Sequence, residues 1–359
     1  MSELPKKSLN LLDSVMLIMG SMIGSGIFIV SAGMAGELQS TGWLLLAWVV
    51  SGLMTVLGAL SYGELAAMMP QAGGQYVYLK EAFNPLVAFM YGWTLFAVIQ
   101  TGTIAAVAVA FAKFTGVFFP TVAAENLLLD VGWLQISTQQ LLAIACIGLL
   151  TWLNFRSIKT GAFVQNLFTF AKIGSLLVII AIGLYTLATG TGVTQSVWDF
   201  SRADGKNLAP LALIGVFFSA MVGSLFSSDA WNNITFTAGE VKNPQRNLPL
   251  SLAVGTGAVA LIYVFINLAY VSSLTLAEIQ NAPAERVAAA LMDKVAGASG
   301  TYFIVVLVMV STFGCINGLI LAGGRVYYAM ANDRLFFAQA AKLNRNGVPA
   351  NALVFQGVW

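Results

Sequence analysis

The sequence predicts an all-α protein embedded in a membrane, and two observations carry that expectation. Hydrophobic residues make up 58% of the chain and charged residues only 9%, against roughly 25% charged in an ordinary soluble domain. The apolar residues also fall in runs of about 20 or more, the length a helix needs to cross hydrocarbon at about 1.5 Å per residue.

The elements follow in order. Apolar runs predict helices over residues 11–36, 42–69, 84–119, 138–154, 161–189, 208–238, 248–274 and 300–330. A ninth run begins at Pro349, but the sequence stops at Trp359, too soon to reach the other side of a bilayer, and the second half reads as truncated. Met1 to Lys7 lead into the first run without a small-residue cleavage site, so that helix is expected to be retained. With the N-terminus in the cytoplasm, basic residues from Lys6 and Lys7 through Lys80, Arg156, Lys242 and Arg345 fall inside. Only Lys113, Arg202, Lys206, Arg286 and Lys294 fall outside, which orients a multi-pass protein of the cell membrane. Two outer loops are long, 190–207 and 275–299. In the second, Thr275 and Glu278 have capping-box spacing and predict a short helix, either a surface helix or a lid.

Composition excludes several functions. A formal net charge of +2 points to neither a nucleic-acid nor an acidic partner. The chain has no histidine, the commonest metal ligand and the usual general base at neutral pH, so zinc hydrolase and Ser-His-Asp chemistry lose their ground. No enzyme activity, metal or cofactor is expected. Cys146 and Cys315 lie inside apolar runs, where cysteine behaves as a small buried hydrophobe, and no disulfide is expected.

Polar interruptions inside the runs carry the functional signal. The first segment contains Gly20-Ser21-Met22-Ile23-Gly24-Ser25-Gly26-Ile27-Phe28 at mid-membrane depth, where two glycines flanking a serine weaken the helix. If it unwinds, the amides of Ser25 and Gly26 open a half-helix whose positive dipole end suits a carboxylate. The alternative is a packing face, with Gly20 and Gly24 four apart. The sixth segment is interrupted at Phe226-Ser227-Ser228-Asp229-Ala230-Trp231-Asn232-Asn233. Such groups are costly in hydrocarbon unless they line a cavity, and a hydrogen-bonding patch between helices accounts poorly for Asp229.

Breaks in the first and sixth helices are the pointer to an inverted-repeat transporter with its site at the midplane. The spacing fits a five-plus-five repeat, with residues 1–189 as the first unit and 190–359 as an incomplete second. Lys172 in the fifth segment either snorkels to the inner interface or is a fixed cation in the place of a bound sodium ion.

Several separated strings carry a resemblance. The GSGIF string at 24–28, Ser61-Tyr62-Gly63-Glu64-Leu65 leading to Pro70-Gln71-Ala72-Gly73-Gly74-Gln75-Tyr76-Val77-Tyr78, and Gly239-Glu240-Val241-Lys242-Asn243-Pro244-Gln245-Arg246-Asn247-Leu248-Pro249 together resemble the amino acid-polyamine-organocation superfamily. Within it they resemble the L-type amino acid transporter family, over the whole chain. The resemblance implies a LeuT-type fold and exchange of amino acids without sodium.

It also implies roles residue by residue. The Ser25 and Gly26 amides would hold the substrate carboxylate, and carbonyls at Met22, Phe226 and Asp229 would receive its ammonium. Phe226 would be the outer gate. Lys172 would stand in the sodium position, tying the first helix to the eighth near Ser311 and Asn317. Asp229 departs from the small residue of many relatives and resembles members that take cationic amino acids or cystine. Its carboxylate would attract a second positive charge, titrate with coupled protons, or cap the second half-helix at Ala230. Asn232 belongs to the same substrate-binding set.

In the third segment Gln100, Thr101, Gly102 and Thr103 either face the site or bond their own backbone; Gln100 and Thr103 are the site candidates. Glu64 supports the inner loops. Eukaryotic L-type transporters are joined to a glycoprotein through a cysteine between helices three and four. Residues 120–137 have none, so no disulfide-linked heavy chain is expected, and the partners are the amino acid and the lipid bilayer. The competing readings are a proton-coupled permease for cationic amino acids, and an amino acid sensor or channel that moves nothing by alternation.

Overall fold

The computed structural model describes residues 7–132, 135–190, 192–193 and 196–359. Lys6 and positions 191, 194 and 195 of the first outer loop lie outside the described residues.

The first span is two helices. α1 (Leu11–Met22) opens with a capping box between Asn10 and Asp13, and α2 (Gly26–Leu38) follows after three residues, bent by 42°. α3 (Thr41–Met68) is capped by the Ser40 hydroxyl, which accepts from the Trp43 amide. α4 (Gln75–Ala82) is a short helix outside the expected runs. The third span is composite: α5 (Pro85–Thr94), a π-helical stretch at Leu95–Gln100, and α6 (Thr101–Thr115). A small hairpin of β1 (Leu127–Asp130) and antiparallel β2 (Gln135–Ser137) precedes α7 (Thr138–Arg156).

Ser157 alone separates α7 from α8 (Ile158–Thr189), ending one helix and capping the next. The sixth span is α9 (Pro210–Ser227), then a break, then the single turn of α10 (Asn233–Phe236). α11 (Pro244–Ser273) starts with proline at a position where no intrahelical donor is needed. The predicted outer capping box forms, with Thr275 and Glu278 opening α12 (Leu276–Gln280). α13 (Val287–Asn332) begins thirteen residues before the expected start at 300 and kinks at Gly297, whose φ of 59° suits glycine. α14 (Ala350–Val358) is the last element.

Seven helices are long and apolar enough to span a membrane among the described residues, and the bent pair α1 and α2 makes eight. The chain is therefore an all-α multi-pass membrane protein, with a β-hairpin as a small departure from the all-α expectation. Helices in lipid associate through close packing of small residues, since hydrocarbon gives them no hydrophobic drive to join. α8 and α11 meet where a Cβ at Gly183 would overlap the Ala269 side chain, and α3 meets α11 where Gly63 lies against Pro249. Phe163, Leu167 and Phe170 of α8 are exposed at helical spacing, an apolar face that suits a bilayer rather than water.

Candidate functional site

The two breaks border one cavity of about 290 Å³, near the lower end for small-molecule sites. At the first break, the Gly24 amide donates back to the Met22 carbonyl at 2.9 Å. α2 then starts at Gly26 with Ser25 as its N-cap, and that side chain makes no cap bond. The first amides of a helix have no intrahelical acceptor, and both Ser25 and Gly26 line the cavity. Glycine is required at 26 because a Cβ there would overlap the Ser227 hydroxyl of the other break. The two readings of this string divide along it. Gly20 is packed against Gln165 and Thr169, while Gly24 and Gly26 border the cavity.

The second break turns at Ala230, whose φ of 69° is unusual for a residue with a side chain. α10 opens at Asn233 with Asn232 as N-cap. Asp229 therefore does not cap a half-helix at Ala230, contrary to one expectation: the helix starts three residues later, beyond the left-handed turn. Asp229 lines the cavity instead, the one charged side chain among its described lining residues. Phe226 also lines the cavity and is 66% exposed.

Tyr263 of α11 joins the breaks. Its hydroxyl approaches the Met22 carbonyl at 3.0 Å and the Ser227 carbonyl at 3.1 Å. The sequence did not single it out, because a tyrosine in an apolar run carries no sign of where its hydroxyl goes. Its presence bears on Met22, whose carbonyl was expected to receive a substrate ammonium. That oxygen already accepts from the Gly24 amide and competes with the Ser227 carbonyl for the single Tyr263 hydroxyl proton.

Behind the first break, Lys172 of α8 is fully buried. Its ammonium donates to the carbonyls of Gly20 and Ile23 at 2.8 Å each and of Ser311 at 3.1 Å. The snorkelling alternative does not describe this geometry, since the side chain turns inward to three carbonyl oxygens. The Ser311 hydroxyl adds one donor, its single proton shared between or directed to either of the Ile23 and Gly24 carbonyls, both at 3.0 Å. Asn317 does not share in this tie. It donates to Gly161 O and Gln165 Oε1 and accepts from Asn154, forming a separate amide cluster that joins α13 to α7 and α8.

On the third span, the π-helical stretch ends at Gln100, which lines the cavity while donating to the Leu319 carbonyl at 2.8 Å. Thr103 also lines the cavity, but its hydroxyl donates to Ile99 O within its own helix. Asn232 donates to Gln75 Oε1 at 3.1 Å. Asn233, the last residue of the interrupting string, lines the cavity as well, and Gln75 and Tyr91 are lining residues to which the sequence assigned no role in the site. Cys146 and Cys315 are buried free thiols, and among the described residues no group of three Cys, Asp or Glu side chains is placed to hold a metal.

This is a cavity between two unwound helix segments, with unpaired first-turn amides on one wall and a carboxylate on another. It can receive a zwitterion. Residues 9–359 match the family model described as amino acid permease. The chain is 31% identical over 361 residues to the b(0,+)-type amino acid transporter 1 of Rattus norvegicus and 30% to that of Mus musculus, covering 98% of this chain and 69% of each relative. It is 30% identical over 352 residues to the large neutral amino acids transporter small subunit 2 of Homo sapiens, covering 98% of this chain and 62% of that relative.

Proposed function

Since this chain belongs to the amino acid permease family, we propose that it carries amino acids across the cell membrane by alternating access, as a sodium-independent exchanger. It is an amino acid transporter and not an enzyme. The observation that carries the finer reading is the convergence of both helix breaks on one cavity, with the Lys172 ammonium on three carbonyls behind it.

In this reading the Ser25 and Gly26 amides take the substrate carboxylate, where the helix dipole favours negative charge. Phe226 closes over the substrate from outside. Lys172 replaces a sodium ion: an ammonium held by three carbonyls holds the end of α1 to α8 and α13 without a dissociable cation. The N-terminus faces the cytoplasm, as the basic residues suggest. Residues 1–189 and 190–359 are the two repeats, each opening with its broken helix. The carrier works without a disulfide-linked heavy chain, since residues 120–137 hold no cysteine.

Counterflow in proteoliposomes tests this. Labelled amino acid is expected to accumulate when unlabelled amino acid is loaded on the opposite side, equally in sodium and choline buffers. Flux independent of substrate on the opposite side excludes exchange, and passive equilibration without saturation indicates a channel.

A second reading has one observation in its favour. Asp229 is the charged group of the cavity lining, as proton-coupled uptake of cationic amino acids requires. Transport driven by a proton gradient alone supports it over exchange.

A further inference from the structure

We propose that Gln75 is a specificity-determining residue, whose carboxamide N–H₂ group selects amino acids with a hydrogen-bond acceptor in the side chain, carboxamides foremost. This rests on the transport reading above and names the substrate class for the same cavity.

The placement of Gln75 is dictated by the turn before it. Gly73 and Gly74 have φ of 112° and 46°, conformations that side-chain-bearing residues rarely adopt. The Gly73 amide donates to Phe236 O at 3.0 Å, and a Cβ on Gly74 would overlap Thr235. The backbone is thus seated on α10, and α4 begins with Gln75 at the cavity wall.

The hydrogen bonds then decide which end of the amide faces inward. Gln75 Oε1 accepts from the Tyr91 hydroxyl at 3.0 Å and from Asn232 Nδ2 at 3.1 Å. Those donors occupy both lone pairs of the oxygen and leave the two N–H bonds of Nε2 to be satisfied elsewhere. Nε2 has no hydrogen-bond partner among the described residues, and it is not sealed from the cavity. Asn233 also borders the cavity, but its unpartnered Nδ2 is buried and does not face it. The other lining amides are engaged, Gln100 with Leu319 O and Asn232 with Gln75 itself.

This part of the lining therefore offers the spare N–H donors of Gln75 Nε2 and a carboxylate acceptor from Asp229. A side-chain carboxamide presents the complement, one carbonyl oxygen and an N–H₂ group. An aliphatic side chain would shut the spare donors away from water without replacing their bonds, and sites built around donors reject ligands that leave them unpaired.

The test compares glutamine with methionine, of similar length but without the amide, and with lysine. Purified protein is read by ligand-induced thermal shift, and proteoliposomes by counterflow with each amino acid labelled. Wild type is expected to favour glutamine over methionine. Gln75→Glu keeps an oxygen for Tyr91 and Asn232 but replaces N–H₂ with a second acceptor. The preference for glutamine over methionine should fall on the order of tenfold and lysine should gain. Gln75→Leu should lose the preference while methionine is retained. An unchanged rank order in Gln75→Glu, or a wild type indifferent between glutamine and methionine, overturns the proposal. A wild type that exchanges none of these amino acids overturns the transport reading, and the inference with it. The thermal shift reads rank order even if a variant binds but does not turn over.

Discussion

The phenolic oxygen of Tyr263 lies 3.0 Å from the carbonyl oxygen of Met22, the last residue of α1. The same hydroxyl lies 3.1 Å from the carbonyl of Ser227, the last residue of α9. One side chain on an unbroken helix thus holds the ends of both broken ones. Its ring is buried and packs edge-on against Trp48, with centroids 5.5 Å apart.

Tyr263→Phe keeps that ring packing and removes only the donor. If the clip sets the relation of the two breaks, initial counterflow rates should fall by roughly fivefold to tenfold, the scale of one buried hydrogen bond. Thermal stability should change little. An unaltered rate means the breaks are held by their own segments and the phenol is incidental.

Lys172 gives the second prediction. Exchanging sodium for choline should leave wild-type transport unchanged. Lys172→Ala strips three buried carbonyls of a charged donor, and charge-assisted bonds are worth about 1.5–3 kcal/mol each. Turnover or affinity should drop by about tenfold or more. A wild type that depends on sodium removes the resident-cation idea.

What was legible in the sequence follows from the solvent it expects. In an apolar run every charged residue or glycine cluster stands out, so the break near residues 23–25, the break after Ser227, Lys172 and Asp229 were all visible as costs that hydrocarbon would not tolerate unassisted. Tyr263 and Gln75 were not. A tyrosine is compatible with an apolar helix, and Gln75 sat in a loop string whose target, the break near Asn232, is 157 residues away. The resemblance places Asn317, on the eighth helix, with Lys172. Rotation of three helices about their axes decides that it meets Asn154 and Gln165 instead. The helical start of α13 was hidden by the charged residues of the outer loop.

The carboxylate site needs a ligand-based test. Any side chain at 26 would overlap Ser227, so Gly26→Leu disturbs the contact between the breaks as well as the approach to the amides. The cleaner probe is the substrate. Amino alcohols lack the anion that unpaired helix amides favour and should neither exchange nor compete. Efficient counterflow of an amino alcohol would remove the anion site from the first break.

Glu240 and Arg325 form a buried pair, with Arg325 Nε 3.1 Å from one carboxylate oxygen and Nη2 3.2 Å from the other. The backbone carbonyl of Glu240 also accepts from the Ser8 and Leu9 amides, which holds the segment leading into α1 beside the one following α10. Removing one member strands the other charge, a loss of about 3–5 kcal/mol. Arg325→Ala should therefore lower the thermal midpoint sharply. Arg325→Met with Glu240→Leu should recover much of it, because the stranded charge is gone as well. A single variant as stable as wild type shows that water reaches the pair.

Asp229 gives the last prediction. Its carboxylate lines the cavity, where a charge counts for more than in bulk water because the effective dielectric is lower. The start of α10 at Asn233 leaves it no capping role, so two functions compete. Asp229→Asn keeps the shape and most of the hydrogen bonding while deleting the charge. If the carboxylate recognises cationic side chains, the variant should discriminate against lysine and arginine and retain small neutral amino acids, a loss of about 1.4 kcal/mol appearing as a tenfold drop in relative affinity. If it carries a coupled proton, the variant should lose the pH dependence of transport for every substrate alike. The two profiles differ in kind, one varying with the substrate and the other with pH. Counterflow measured with lysine and alanine between about pH 5 and 8, where histidine cannot contribute because the chain has none, separates them. Retention of both profiles in the variant would show that the charge is a bystander, leaving side-chain selection to the uncharged groups of the lining.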